Sequence, residues 1–324
     1  MSSDSLALGI DIGGSNTKMG LVSPEGVLTD VRRMPTEARG SDPGPFLSRF
    51  LPLVDEVFAA GEGRLIGIGV SMHGAIDEER RGPIACNNTP ALRGLNMRGL
   101  LEERYGLPVV VNNDLTAHSL GEYRFGTGRG SRRFMALAIG TGLGASIILD
   151  GEPLRFGYGT AGDTGRLILD PDGPVDVYGV RGSAEILCGV PGIERLARMH
   201  YGRDVPARDV ITAARERSDE RAVAIIQQIG AYLGFTLANL SMIFYPDKVA
   251  LTGGTAEAGE VLLEAVRKRF YELLGDYYRI VSELTGGAIR PVEIVLGRGG
   301  ETGILGAVVE LLPPAGQPPD PQSP

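Results

Sequence analysis

Three glycine-rich turns, each following an apolar run of strand character, constrain this 324-residue chain more than any other feature. They are Asp11-Ile12-Gly13-Gly14-Ser15-Asn16-Thr17-Lys18 after residues 6–12, Gly140-Thr141-Gly142-Leu143-Gly144 after 134–139, and Gly253-Gly254-Thr255 after 249–251. A glycine turn at a strand end lets backbone N–H groups approach an anion, because no Cβ stands in the way. One such loop says little. Three, far apart in sequence, point to one polyphosphate held between two halves of an α/β fold, and so to a nucleotide.

The rest of the pattern supports two halves. Strands are expected at 6–12, 17–22, 27–31, 65–70 and 108–111, with helices at 46–58, where Pro52 invites a kink, and 115–125. The pattern then restarts with a strand at 134–139, the glycine loop 140–144, a strand at 145–149 and a hairpin turn at Asp150-Gly151. A helix at 220–243, a strand at 249–251 and a helix at 259–274 follow. The expected domains are an N-terminal lobe, 6–118, completed by 302–312, and a larger lobe, 119–301. The proline-rich residues 313–324 are expected to be disordered.

Bulk properties exclude several classes of function. A formal charge of −8 disfavours nucleic acid and anionic membrane as partners. No apolar run is expected to reach the length of a membrane span, and the first residues lack a signal-peptide pattern. Cys86 and Cys188 are too few for a disulfide framework and are expected as buried reduced thiols in a cytoplasmic protein.

The loops are of neither common nucleotide-binding kind. A Walker loop needs Gly-Lys opening a helix, and no Gly-Lys pair occurs. A dinucleotide fingerprint runs into a helix, whereas the turns at 11–18 and 140–144 run into a second strand. Strand–loop–strand phosphate sites in two copies suggest the actin-like ATPase architecture.

The ordered motifs resemble the ROK family of sugar kinases and sugar-responsive repressors. They are Gly9-Ile10-Asp11-Ile12-Gly13-Gly14-Ser15, Asn113-Asp114 with Gly121-Glu122, Gly140–Gly144, Ala161-Gly162-Asp163-Thr164-Gly165, Gly253-Gly254 and Gly303-Ile304-Leu305-Gly306-Ala307. The resemblance runs over about 6–312. It implies a two-lobed actin-like ATPase (ribonuclease H-like) α/β fold of ROK kinase type, ATP with Mg²⁺, and phosphorylation of a sugar-like hydroxyl. Family members are commonly dimers or tetramers, so a homodimer or homotetramer is expected.

The residues carry this chemistry as follows. Phosphoryl transfer needs positioning and charge neutralisation more than covalent help. Backbone amides of Gly13, Gly14, Thr141 and Gly142 are candidates for holding phosphates, with Ser15 and Asn16 in the same turn. By resemblance, Asp11 orients Mg²⁺ through water and Gly253-Gly254 faces the adenosine. Lys18 is either a phosphate ligand or a solvated strand lysine. Asp114 is either a helix N-cap or the base that takes the proton of the attacking hydroxyl. The resemblance favours the base, with Asn113 on a neighbouring hydroxyl. The substrate cleft is expected to draw on Ser71-Met72-His73-Gly74, Asn87-Asn88, Asn113, Asp163, Arg166 and Glu185. Hydroxylated rings need many side-chain donors and acceptors.

One segment departs from the family. Members typically read Glu-x-Gly-His, then Cys-x-Cys-Gly-x-x-Gly-Cys, and these residues bind zinc. Here Arg166 stands at the histidine, and Asp176, Tyr178 and Ser183 stand at the cysteines. No zinc is expected, since zinc sites need nitrogen and sulfur ligands. The same changes leave the substrate open among a hexose, an amino sugar and a cyclitol. A repressor from the same family would need an N-terminal helix-turn-helix, yet the first strand is expected at Leu6. A non-catalytic ATPase fits poorly with Asn113-Asp114 and the polar substrate segment.

Overall fold

The computed structural model describes residues 5–313, so the expectation for the tail beyond Pro313 lies outside them. Two compact units form. One contains the described parts of Met1–Gly130 and Gly300–Pro324 together with Pro153–Gly162; the other contains Ser131–Glu152 and Asp163–Gly299.

The first unit is built on β1 (Leu6–Ile12), β2 (Asn16–Val22), β3 (Leu28–Pro35), β4 (Leu65–Met72), the short ribbon β5 (Ala75–Ile76) and β6 (Pro83–Ala85), and β7 (Val109–Asn113). Its main sheet has the order β3-β2-β1-β4-β7, with β1–β2 and β2–β3 antiparallel and β1–β4 and β4–β7 parallel. The parallel centre is covered on both faces, which explains the continuous apolar runs of β1 and β4. One face packs on α1 (Gly44–Ala60), whose Phe46, Phe50, Val54 and Val57 join Leu8, Ile10, Met19 and Val70 in the core. The helix runs through Pro52. It is followed by α2 (Met97–Tyr105) and α3 (Asp114–Phe125).

The second unit repeats the sheet. Its strands are β8 (Arg133–Ile139), β9 (Leu143–Leu149), β10 (Glu152–Pro153), β11 (Lys248–Thr252) and β12 (Glu293–Leu296), in the order β10-β9-β8-β11-β12. Again the first two strands are antiparallel and the next pairs parallel. Asp150 (φ 51°) and Gly151 (φ 91°) are both left-handed, as a two-residue hairpin turn requires. β9 begins at Leu143 rather than at Ala145, because ladder pairing with Ile139 reaches into the glycine loop.

Helices α4 (Ala184–Cys188), α5 (Val190–Tyr201), α6 (Ala207–Arg215), α7 (Glu220–Phe244), α8 (Glu260–Leu274) and α9 (Tyr277–Leu284) belong to this unit. The short α10 (Thr302–Ala307) belongs to the first, where the close approach of Ala307 to β4 requires Gly69: a Cβ there would lie 2.0 Å from the Ala307 carbonyl.

One expectation needs correcting. α7, with 25 residues and an 18-residue stretch of mean hydropathy 1.3, is long and apolar enough to cross a membrane. It is apolar for another reason: Ile225, Ile226, Ile229, Leu233 and Leu237 are fully buried in the unit's core. Cys86 and Cys188 are free and buried.

Candidate functional site

In the first unit the candidate residues collect where β1, β4 and β7 end. The turn after β1 is closed by the Gly13 N–H, which donates to the Asn16 carbonyl at 3.0 Å, and by the Thr36 hydroxyl, which donates to the Gly13 carbonyl at 2.7 Å. Gly13 therefore uses its amide within the turn. Gly14, Ser15 and Asn16 are exposed. Asp11 lies opposite Ser71 in the parallel register, and its Oδ1 accepts from the Ser71 hydroxyl at 2.8 Å. Its Oδ2 is 3.8 Å from His118 Nε2. Lys18 is partly exposed but not free: its ammonium pairs with Glu301 at 2.9 Å, and Glu301 also receives Arg33.

β4 and β7 run side by side with Met72 opposite Asn113. The next residue of each chain is then His73 and Asp114, and His73 Nδ1 lies 3.0 Å from Asp114 Oδ2. On the other side of the ring, Nε2 lies 3.1 Å from Asn88 Nδ2. The hydrogen bond to Asp114 raises the His73 pKa above the ordinary histidine value, outweighing the burial that opposes the charge. Asn88 in turn packs on the first glycine turn, since a Cβ on Gly14 would meet the Asn88 Cβ at 3.0 Å.

The N-cap of α3 is Asn113, not Asp114. Asn113 keeps a non-helical backbone (φ −59°, ψ 146°) and its Oδ1 accepts from the Leu115 N–H at 3.0 Å. Its Nδ2 donates to the Gly74 carbonyl at 2.6 Å. Asp114 is the first helical residue, about one-third exposed, with Oδ1 accepting from the Leu115 N–H at 2.9 Å. Gly74 (φ 105°) admits no side chain, because a Cβ would stand 2.0 Å from the Ala85 carbonyl.

A partly buried ionic cluster fixes the end of β7 from behind. Glu310 accepts from Asn112 Nδ2 at 2.6 Å and pairs with Arg80 at 2.7 Å and Arg155 at 3.1 Å. Burial opposes the Glu310 charge, but the two guanidiniums and Asn112 outweigh it and hold the carboxyl below the usual glutamate value.

The second unit gathers the other candidates. Glu185 Oε2 accepts from the Leu143 N–H at 3.1 Å, and a Cβ on Gly142 would meet the same oxygen at 2.6 Å. Glu185 Oε1 receives Arg166 Nη1 at 2.9 Å. Thr141 and Gly254 lie open, while Gly253 (φ 84°) sits on the end of β8, where a Cβ would stand 2.4 Å from the Ile139 carbonyl. Asp163 is largely exposed, 3.5 Å from Arg166 Nε.

The positions that correspond to zinc ligands in the resemblance do meet, but their chemistry does not suit zinc. Arg166 Nη1 is 3.0 Å from Asp176 Oδ2, its guanidinium covers the Tyr178 ring at 4.3 Å, and the Ser183 hydroxyl donates to Asp176 Oδ2 at 2.8 Å. Asp176 Oδ1 accepts from the N–H groups of Tyr178 and Val180. Although burial opposes its charge, these donors, led by Ser183, keep the Asp176 carboxyl below its ordinary value. A permanent cation stands where a neutral ligand would be needed, and the one carboxylate is already saturated with donors.

Sequence reasoning named His73 as a cleft residue but missed its bond to Asp114. It placed Asp176 in the altered segment without its bonds to Arg166 and Ser183, and it missed Glu301 and the Glu310 cluster. Only the β4–β7 pairing would have disclosed the first; the others are separated from their partners by up to 283 positions.

Comparisons with known proteins follow the same line. The ROK family profile matches residues 7–303. A glucokinase of Halalkalibacterium halodurans is 30% identical, the match covering 83% of this chain and 86% of that protein. The crystal structure of a ROK family glucokinase from Streptomyces griseus, in complex with glucose and AMPPNP, superposes with a TM-score of 0.72 at 28% identity, covering 95% of this chain and 99% of that one. The xylose repressor of Bacillus subtilis is 26% identical, over 68% of this chain and 58% of that protein. The two-lobed α/β fold of actin-like ATPases, ROK kinase type, is the fold of this chain.

Proposed function

The chain belongs to the ROK family, and we propose that it is a carbohydrate kinase that moves the γ-phosphoryl group of ATP to a hydroxyl of a hexose or related polyol such as a cyclitol. The observation that carries this reading is a continuous run of contacts in one unit. It passes from the exposed glycine turn at Gly14 through Asn88 and His73 to the partly exposed carboxylate of Asp114. A phosphate-binding turn and a base joined in this way suit a hydroxyl attacking a terminal phosphate.

In this reading Asp114 takes the hydroxyl proton as the new O–P bond forms and the bond to the bridging oxygen of ADP breaks. A loose transition state releases that proton late, so a carboxylate suffices as base. Asn88 and the backbone around Gly74 contact the polyol, together with Asp163, Arg166 and Glu185. Asn113 contributes mainly by fixing Gly74 and the start of α3, because both ends of its amide are already bonded. Gly14, Ser15 and Asn16, with Thr141 and Gly142, hold phosphates, and Gly253-Gly254 faces the adenosine. Mg²⁺ arrives with ATP as part of the substrate and neutralises phosphate charge when bound. Asp11 suits a water-mediated contact to it, since Ser71 takes only one of its lone pairs. Lys18 has no phosphate role in this reading, its ammonium being held by Glu301.

The test is ATP-coupled turnover across glucose, fructose, mannose, N-acetylated amino sugars, inositols and C7 cyclitols, with the product identified by mass. Phosphorylation of one or a few of these is expected. A ligand-binding protein that transfers no phosphate to any of them would instead support a sugar-responsive regulator, the reading that the repressor similarity favours.

A further inference from the structure

We propose that His73 is a positioning residue that couples the base Asp114 to the substrate contact Asn88, its Nδ1–H fixing the carboxylate while its Nε2 sets which face of the Asn88 amide points at the polyol. This rests on the reading of Asp114 as the base. The hydrogen-bond inventory assigns the tautomer. An ionised Asp114 can only accept, so the proton sits on Nδ1, 3.0 Å away. Asn88 presents its amide nitrogen to Nε2 at 3.1 Å, and with that nitrogen as donor Nε2 accepts and the ring carries one proton.

Protonation of Nε2 reverses the second bond. Two donors cannot face one another, so the Asn88 side chain must turn over and offer its carbonyl oxygen to the ring. Its NH₂ group then replaces its oxygen on the substrate side, and a polyol hydroxyl that had donated there must now accept. The same proton places a full positive charge beside Asp114, which stabilises the carboxylate and makes it a poorer base. Both effects slow turnover as pH falls through the His73 transition.

The surroundings leave this pair isolated enough to act as a unit. Asp114, at the start of α3, supplies the charge that acts on the ring. Asp11, at the end of β1, is engaged by Ser71 and approached by His118. Asn88, from the loop after β6, is neutral. The Asp114 bond already raises the His73 transition above the ordinary histidine value.

The chain contains three histidines, His73, His118 and His200, so their imidazole signals are readily separated by NMR. In the nucleotide-free protein, the signal lost in His73→Asn is expected to titrate above the ordinary value and to show the Nδ1–H tautomer when neutral. In Asp114→Asn it should drop to or below the ordinary value, since burial alone then acts on it. An unmoved midpoint overturns the proposal without any need for a substrate.

The kinetic arm uses ATP and the best acceptor from the polyol panel. His73→Ala should lower kcat about 10- to 100-fold with KM for ATP changed less than about threefold. His73→Asn, which keeps an amide N–H near the Nδ1 position but cannot titrate, should recover about tenfold of that loss and lack the acid limb seen in the wild type. If Asp114→Asn keeps full turnover, the functional reading fails. If it is inactive while His73→Ala retains the wild-type kcat and acid limb, this inference alone fails.

Discussion

Replacing Glu310 by Gln tests whether the partly buried ionic cluster holds the end of β7. The carboxylate is 17% exposed and accepts from Asn112 at 2.6 Å, Arg80 at 2.7 Å and Arg155 at 3.1 Å. Glutamine keeps one oxygen for one donor, turns an NH₂ group towards another, and leaves two guanidiniums without a countercharge. A hydrogen bond to a charged group contributes about 1.5–3 kcal/mol, and breaking a fully buried pair costs about 3–5 kcal/mol. Both arginines remain about a quarter exposed, so solvent relieves part of that cost. The expected loss is about 2–3 kcal/mol at pH 7, or about 4–10 °C in the melting temperature of the unit that contains it.

The pH dependence has a definite sign. The folded-state pKa of Glu310 lies below its ordinary 4.5, so its contribution is fully present above 4.5 and is lost as pH falls through the lower folded value. Thermal melts of wild type and Glu310→Gln, followed by circular dichroism, should differ by a constant amount from pH 8 to 5. The two should converge in more acid solution. A drop smaller than about 1 °C at pH 7, or a difference that grows on acidification, refutes the assignment.

Other substitutions probe the site itself. Gly74→Ala forces a Cβ within 2.0 Å of the Ala85 carbonyl at φ 105°, so it should shift the backbone beside His73 and lower kcat by about 100-fold, measured with ATP and the accepted polyol. Purified protein should keep its melting temperature in zinc chelators, whereas Asp176→Ala should lower it by releasing Arg166 and Ser183; chelator-induced melting contradicts the account of that segment.

Much of the scaffold was legible because buried parallel strands read as unbroken apolar runs. Residues 6–12 and 134–139 are strands in both sheets, and the glycine turns follow them. The alternation of Asp150-Gly151 with its flanking strands disclosed a hairpin for the same local reason. Short elements such as α4 and α10 carry too few residues for a period to register. The cap of α3 stayed open in the sequence because Asn113 and Asp114 are both good capping residues, and only backbone angles separate them. The site was legible as an ordered set of motifs, but the partners of its charged groups were not. Arg166 meets Asp176 and Glu185, and His73 meets Asp114, through strand register and loop closure that no local pattern encodes.

The most direct test of the central claim is steady-state phosphoryl transfer by Asp114→Asn beside wild type, using the best acceptor from the polyol panel. General-base catalysis contributes about 10²–10⁴ in rate, so kcat should fall by at least about 100-fold while KM for ATP stays within about threefold. Turnover close to wild type in this variant, with the fold intact, would contradict the assignment of Asp114 as the base and with it the mechanism.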